Sequence, residues 1–305
     1  MSKYVVIRLL QLIPSIIGLT LVLFILVRVG GDPVAGLLPP DSTAEEIASV
    51  RAAYGFDRPF YVQYFESLRH ILRGDFGQSI RFRTAALPLV LERLPATLWL
   101  SLVAVVIAIL IAFPAALLSV VYKDSVIDLT VTLASTLGRA LPNFWLGIIL
   151  ILLFSLHYRW FPVSGMSSFS SIVLPAITLG ASIATTFARI LRSSLLETMP
   201  KSFITAARAK GLGVKTVLMR HALRNALIPT VTVFGLQMSW LLGGSVIVEN
   251  VFAWPGIGRL MLASVLLRDL SVVQAGVFVF ALVVMGANLA VDIVYVFLDP
   301  RIRVG

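Results

Sequence analysis

The sequence predicts an all-α integral membrane protein with six transmembrane helices. Hydrophobic residues make up 58% of the 305 positions and charged residues only 13%, against roughly a quarter charged in a soluble domain. The apolar residues also fall in runs long enough to cross about 30 Å of hydrocarbon, which takes roughly 20 residues.

The first expected span covers 5–29, follows Lys3, and contains Arg8 near its start. Its length, with no small-x-small cleavage site behind it, reads as an uncleaved anchor and not a signal peptide. The second, 97–122, has no charge between Arg93 and Lys123. The third, 129–157, contains Arg139 and a break at Leu141-Pro142-Asn143; the fourth, 172–188, has Pro175 near its start. The fifth, 226–248, is flanked by Arg224 and Glu249, and the sixth, 272–298, contains Asp292.

Cation placement orients the spans. Lys3 and Arg8 put the amino terminus in the cytoplasm, six crossings return the carboxyl terminus there, and Arg301 and Arg303 agree. The whole chain carries a net +10, and the loop from Arg189 to Arg224, with eight Lys/Arg against Glu197 alone, supplies +7 of it. Such a concentrated run is membrane-flanking charge and not a groove-tracking nucleic-acid stripe. In contrast, residues 30–95 hold seven Lys/Arg and eight Asp/Glu, which fits an outside location. The expected organisation is therefore an N-terminal transmembrane helix (1–29), an extracytoplasmic (periplasmic) cap segment (30–95), and a five-helix core (96–305). The core carries a cytoplasmic loop at about 189–225.

Within the cap segment, 44–54 has helix-forming composition behind Asp41-Ser42-Thr43, whose short polar side chains can accept from free amides. Tyr61, Tyr64, Phe65, Leu68 and Leu72 recur at spacings of three and four and predict one apolar helix face. Gly31-Asp32-Pro33 and Gly74-Asp75-Phe76-Gly77 read as turns. A disordered linker is the alternative for this segment.

Between the fifth and sixth spans, Val251-Phe252-Ala253-Trp254-Pro255-Gly256-Ile257-Gly258 is apolar yet punctuated by Pro and Gly, and a short helical pattern follows. Non-helical backbone at membrane depth is tolerated only where protein or a water-filled cavity covers it. The reading is a re-entrant or interfacial element lining the outer mouth; the alternative is a simple aromatic anchor with Trp254 at headgroup level.

Several chemistries are absent from the sequence. With no cysteine, disulfides, thiolate metal sites and cysteine nucleophiles are excluded. Gly211-Leu212-Gly213-Val214-Lys215-Thr216 has the wrong spacing for a phosphate-cradling loop and no strand before it. His70, His157 and His221 are scattered, so no catalytic metal site is expected. No nucleophile-elbow motif occurs.

The basic loop is more informative. Phe203-Ile204-Thr205-Ala206-Ala207-Arg208-Ala209-Lys210-Gly211 reads as a short helix of small residues ended by glycine. Small side chains let another protein's surface approach the backbone closely. After it, 217–229 forms a basic amphipathic helix, for which an interfacial anchor on anionic lipid is the simpler reading.

The segment Thr205-Ala206-Ala207-Arg208-Ala209-Lys210-Gly211 through Arg220-His221-Ala222-Leu223-Arg224-Asn225-Ala226-Leu227-Ile228-Pro229 resembles the coupling loop of importer permeases in the peptide and nickel branch of the ATP-binding-cassette superfamily. The resemblance covers essentially the whole chain. It includes Gly31-Asp32-Pro33, Gly74-Asp75-Phe76-Gly77-Gln78-Ser79, Leu174-Pro175, Glu249-Asn250-Val251-Phe252, Trp254-Pro255-Gly256-Ile257-Gly258, Arg268-Asp269 and Asp299-Pro300-Arg301-Ile302-Arg303. Size and first-span pattern look like the first permease of such systems. Two departures stand out: Thr205 replaces the acid that often opens the family's coupling motif, and Leu270-Ser271 replaces the usual Tyr-Pro after Arg268-Asp269.

The resemblance implies the type I ABC importer permease fold and the role of a non-enzymatic subunit. The expected partners are a homologous second permease, two ATP-binding subunits and an extracytoplasmic solute-binding protein, within the bacterial inner membrane and without nucleic acid. ATP and magnesium would belong to the partner subunits, and this chain would hold no cofactor or metal. Ile204, Thr205, Ala206, Ala207, Arg208, Ala209, Lys210 and Gly211 would form the ATPase-coupling helix. Phe252, Trp254, Pro255, Gly256, Ile257 and Gly258 would form an outer gate or a binding-protein contact. The competing mechanism is an ion-coupled secondary transporter using Arg139 and Asp292, since charge within a span is costly and often functional.

Overall fold

The computed structural model describes residues 2–29, 42–53 and 57–298. The Gly31-Asp32-Pro33 turn, the capping position Asp41 and the terminal 299–303 motif lie outside these residues. The described elements are helical: α1 (Ser2–Val29), α2 (Ala44–Ala53), α3 (Phe60–Leu72), α4 (Ala86–Val121), α5 (Val126–Ala140) and α6 (Asn143–Leu150) come first. They are followed by α7 (Val173–Thr198), α8 (Ser202–Ala209), α9 (Val214–Thr216), α10 (Leu223–Val251), α11 (Ile257–Leu266) and α12 (Leu270–Leu298). Wider π-helical turns extend α6 over Ile151–His157 and join α9 to α10 over Val217–Ala222. The architecture follows from the solvent: in hydrocarbon every backbone amide and carbonyl must be satisfied within its own segment, which a helix does.

Three helices are individually long and apolar enough to span a membrane, and two bent pairs raise the number to five among the described residues. The six expected spans correspond to these five and α1, whose described apolar run is Leu10–Leu26. The second span differs from its expected limits. Its helix begins at Ala86 and not at 97, because the polar turn holding Glu92, Arg93 and Pro95 is still helical. At 36 residues it is about 54 Å long, more than the hydrocarbon requires. The third span is not one rod: α5 and α6 meet at 106° across Leu141-Pro142, where the proline constrains its predecessor away from helical geometry.

The chain forms two compact units, one built from 93–260 with 283 onwards, the other from 2–92 with 261–282. In the first, α7 is the central helix, two-thirds buried where α4 is less than a third. Along α4, Ala104, Ala108, Ala112 and Ala116 recur every fourth residue, each fully buried. This stripe lets α7 come so close that a Cβ on Gly180 would lie 2.6 Å from the Ala104 carbonyl oxygen. Apolar side chains gain nothing by leaving lipid for each other, so intimate backbone packing through small residues supplies the attraction.

In the second unit, α2 opens with a reciprocal cap: the Thr43 hydroxyl accepts from the Glu46 amide at 3.3 Å, and the Glu46 carboxylate accepts from the Thr43 amide at 2.9 Å. Helix α3 lies on α1 through Phe24, which meets Phe60 and Tyr64 edge-on at 4.8 and 5.5 Å. The face it buries is not the expected one. Ile71 is buried, Tyr64 and Leu68 are half-buried, and Tyr61, Phe65 and Leu72 are exposed. The turn at 74–77 is present, with Gly74 and Gly77 in the left-handed region, and Asp75 accepts from His70 Nδ1 and the Gly77 amide.

Gly180→Val should force α4 and α7 apart and destabilise the protein by about 1–3 kcal/mol, the usual cost of overpacking. Gly18→Ala, where a Cβ meets open space, should be neutral or slightly stabilising. Thermal unfolding of the two purified variants checks the pair.

Candidate functional site

Two regions answer to the sequence-predicted site residues. The first is α8. Ile204 and Ala207 are buried, and they join a cluster with Ala116 and Val120 of α4, Leu191 and Leu195 of α7, and Val217, Leu218, Ala222, Leu223 and Ala226 beyond α9. The π turn contributes to this convergence: its wider circuit aligns positions five apart, so Val217 and Ala222 point the same way. Thr205, Ala206, Arg208, Ala209 and Lys210 remain exposed, with Phe203 and Leu212 at the two ends of that surface.

Of the three alanines expected to allow close approach of a partner, Ala206 and Ala209 are exposed and Ala207 is buried. The small size of Ala207 serves the protein's own core, which α8 approaches closely. Gly211 behaves as expected. It has φ +80°, its amide bonds the Arg208 carbonyl at 2.9 Å, and the Leu212 amide bonds the Ala207 carbonyl at 3.4 Å. This nested pair satisfies the last carbonyls of α8 and requires a left-handed residue between helix and loop.

The second region is the element at 252–258, and its centre is a residue that the sequence marked as a flank and as part of the family resemblance, with no role assigned to it. Glu249, in the last turn of α10, is fully buried. Thr97 Oγ1 donates to its Oε1 at 2.7 Å, and the Arg259 amide donates to Oε2 at 3.1 Å. The Ile257 amide donates in turn to Thr97 Oγ1 at 2.9 Å. Glu249 thus caps α11 from another helix, placing negative charge where free amides and the positive end of the helix dipole converge. A Cβ at Gly256 would collide with this carboxylate, and one at Gly258 would lie 2.6 Å from Val246 Cα. Both glycines are required by the closeness of α10.

The same element is fastened elsewhere. Trp254 Nε1 donates to the Ala96 carbonyl at 2.9 Å, and the Gly165 amide donates to the Phe252 carbonyl at 2.8 Å. Ala253, at φ +49°, ends α10 with the same nested hydrogen bonds that end α8. Phe252, Trp254, Gly256, Ile257 and Gly258 are buried and Pro255 is half-buried. Phe252, Trp254, Gly256, Ile257 and Gly258, expected as an outer gate or a binding-protein contact, pack into a corner between α10 and α11, with the Trp254 indole buried and tied to Ala96.

A further polar centre gives little sign of itself in the sequence. Asp128, buried in the first turn of α5, receives Arg192 of α7 in a two-pronged ion pair at 2.8 and 2.8 Å. Ser119 of α4 also donates to Asp128. The available signal was Ser125-x-x-Asp128, a helix-start pattern placing a carboxylate beside an apolar run. Arg139 is exposed. A cavity of about 560 Å³ between α4, α7, α10 and α12, bounded by Leu98, Ile109, Phe187, Phe234 and Val291, has no ionisable group in its walls. No cluster of three or more His, Cys, Asp or Glu occurs among the described residues.

Broken apolar spans around a corner held by buried polar groups, with a short helix exposed along one face, define a polytopic membrane protein. Residues 104–304 match the model of the family described as binding-protein-dependent transport system inner membrane component. The chain is 40% identical over 305 residues to the glutathione transport system permease protein GsiC of Salmonella typhimurium (strain LT2), across 99% of both chains. It is 38% identical over 315 residues to the oligopeptide transport system permease protein AppB of Bacillus subtilis (strain 168), covering 99% of this chain and 100% of the relative. It is also similar in fold to an inward-facing structure of the MetNI methionine ABC transporter, with TM-score 0.59 and 21% identity. That likeness covers 69% of this chain and 96% of the other. The chain belongs to this family and is an inner-membrane permease subunit of an ATP-binding-cassette importer in the peptide and nickel branch. The ion-coupled alternative is set aside by that membership.

Replacing Glu249 by Ala should leave Thr97 and the first amides of α11 without their acceptor and cost about 1–3 kcal/mol. Glu249→Gln, which keeps an acceptor oxygen, should cost less. Thermal unfolding with limited proteolysis near 255 checks the order.

Proposed function

We propose that this chain forms half of a solute pathway for glutathione, oligopeptides or a related small solute and is driven through α8 by partner ATPases. The carrying observation is the division of α8 into a locked face, Ile204 and Ala207, and a displayed face of Thr205, Ala206, Arg208 and Ala209. A lever needs both: one side fixed to the spans and one side free for another protein. The names of the relatives supply the solute class, with 38–40% identity along the whole chain.

In this reading both termini and α8 are cytoplasmic, and residues 30–95 are extracytoplasmic. A homologous second permease completes the pathway, two ATP-binding subunits contact the displayed face of α8, and a solute-binding protein delivers cargo from outside. ATP and magnesium act within the ATP-binding subunits, while this chain catalyses no reaction and binds neither. Closure of the ATPases favours an outward-facing state and hydrolysis restores the inward-facing one, because each nucleotide state binds one arrangement of the spans better. The residues 252–258 shape the outer mouth from within, through α10 and α11.

The displayed face is testable apart from the locked one. In the complete reconstituted transporter, Ala206→Trp or Arg208→Glu should weaken retention of the ATP-binding subunits or lower transport per ATP by about tenfold, within the usual range of coupling between sites. Membrane insertion should persist. Ala207→Trp should instead reduce the yield of folded protein, because its space is the chain's own core. Uptake of labelled glutathione and of a labelled oligopeptide provides the transport measurement. Unchanged retention and coupling in both displayed-face variants would refute the role of α8.

A further inference from the structure

The cluster that holds α8 occupies the same turns of α4 and α7 as the Asp128–Arg192 pair. Ser119 lies between Ala116 and Val120 on α4, and Arg192 lies between Leu191 and Leu195 on α7; these four apolar neighbours are packed around Ile204 and Ala207. On the opposite side, Arg192 Nε and Nη2 each reach an oxygen of Asp128 at 2.8 Å. Arg192 Nε also donates to Ser119 Oγ at 2.7 Å. The Asp124 amide donates to Asp128 Oδ2 at 3.1 Å and fixes the turn between α4 and α5 to the same carboxylate. Three helices meet at one carboxylate beside the seat of α8.

Helix α5 has no comparable hold on α8 through apolar contact, since the cluster contains none of its residues. It runs antiparallel to α7. Asp128 faces Arg192 at one end, and at the other a Cβ on Gly138 would lie 2.7 Å from Thr185 Cγ2. Beyond the sharp corner at Leu141-Pro142, α6 meets the 252–258 element, where a Cβ on Gly147 would lie 3.1 Å from Phe252 and 3.3 Å from Val251. Helix α5 thus touches α7 beside the seat of α8 at one end and, through α6, adjoins the corner that Glu249 caps at the other.

We propose that Asp128 and Arg192, with Ser119, are positioning residues that make α5 and α6 follow α8, carrying an ATP-driven displacement to the outer corner. The inference rests on the coupling role assigned to α8 above. The chemistry suits a mechanical joint, because a bidentate guanidinium–carboxylate pair fixes angle as well as distance. Asp128 is buried and Arg192 half-buried, so loss of the guanidinium leaves a buried carboxylate without its counter-charge. Apolar packing alone would let α5 slide along α7.

Because the chain has no cysteine, two can be introduced at will. Spin labels at Leu133→Cys on α5 and Glu197→Cys on α7, both exposed positions, report the separation in the complete transporter with and without trapped ATP. The unmodified joint should give one narrow distance in both states. With Asp128→Asn or Arg192→Gln the ATP-trapped distance should shift or broaden. Binding-protein-stimulated hydrolysis should continue with glutathione or oligopeptide uptake per ATP reduced about tenfold. The exchange Asp128→Arg with Arg192→Asp should restore both readings, which a loss of general stability would not allow. If the exchanged pair fails to assemble, the two single variants decide alone. A narrow, unchanged distance with normal uptake per ATP in both single variants would overturn the inference. Loss of hydrolysis and uptake in equal proportion would also overturn it. The α8 reading is judged separately by Arg208→Glu: if that variant is normal, the coupling role fails, and if only the ion-pair variants are normal, this inference alone fails.

Discussion

The buried carboxylate of Glu249 is the constraint around which the 252–258 corner is built. The first amides of α11 have no earlier turn of their own helix to bond, in a setting where stranded polar groups are expensive. Glu249 answers from one turn back on α10, and Thr97 extends its reach to the Ile257 amide. The cap demands that α11 start within contact of α10, and that closeness admits only glycine at 256 and 258. The Trp-Pro-Gly-Ile-Gly motif is therefore the shape left by a carboxylate already in place, with the indole tied to Ala96 to close the corner.

At the other pole, the alanine stripe of α4 and the glycine of α7 bring two spans into backbone contact. The stripe ends at Ala116 and Val120, where the cluster holding α8 begins. Small residues thus serve twice along one helix, first to join spans and then to seat the helix displayed beyond them. The first use depends on close approach and not on hydrophobic transfer, which is weak between spans surrounded by lipid.

Much of this was legible in the sequence because length and composition are local. Apolar runs mark spans, Leu141-Pro142 marks a break, and Gly211 after a small-residue helix marks a left-handed cap. What was not legible depends on residues distant along the chain. Ala207 stands on the face of Ile204, three residues on, but that this face is buried is decided by Leu191, Val217 and Ala116. Trp254 and Ile257 read as an outer gate or a binding-protein contact, and their own-chain partners were hidden because Ala96 and Thr97 lie about 160 residues away. The buried face of α3 departs from the aromatic pattern because Phe24 of α1 receives Phe60 and Tyr64, which leaves Tyr61 and Phe65 turned outward. Asp128 sits at the edge of a span, where a single acid looks like a boundary until Arg192 is seen beside it.

In the proposed mechanism α8 has one face owned by the membrane spans and one offered to an ATPase. The most direct measurement places a photo-activatable cross-linker at Ala206 and, separately, at Ala207 in the assembled transporter. At Ala206 the predicted product joins this chain to an ATP-binding subunit, while at Ala207 any product should remain within the chain. Capture of phospholipid alone at Ala206 would contradict the claim and make α8 an interfacial anchor.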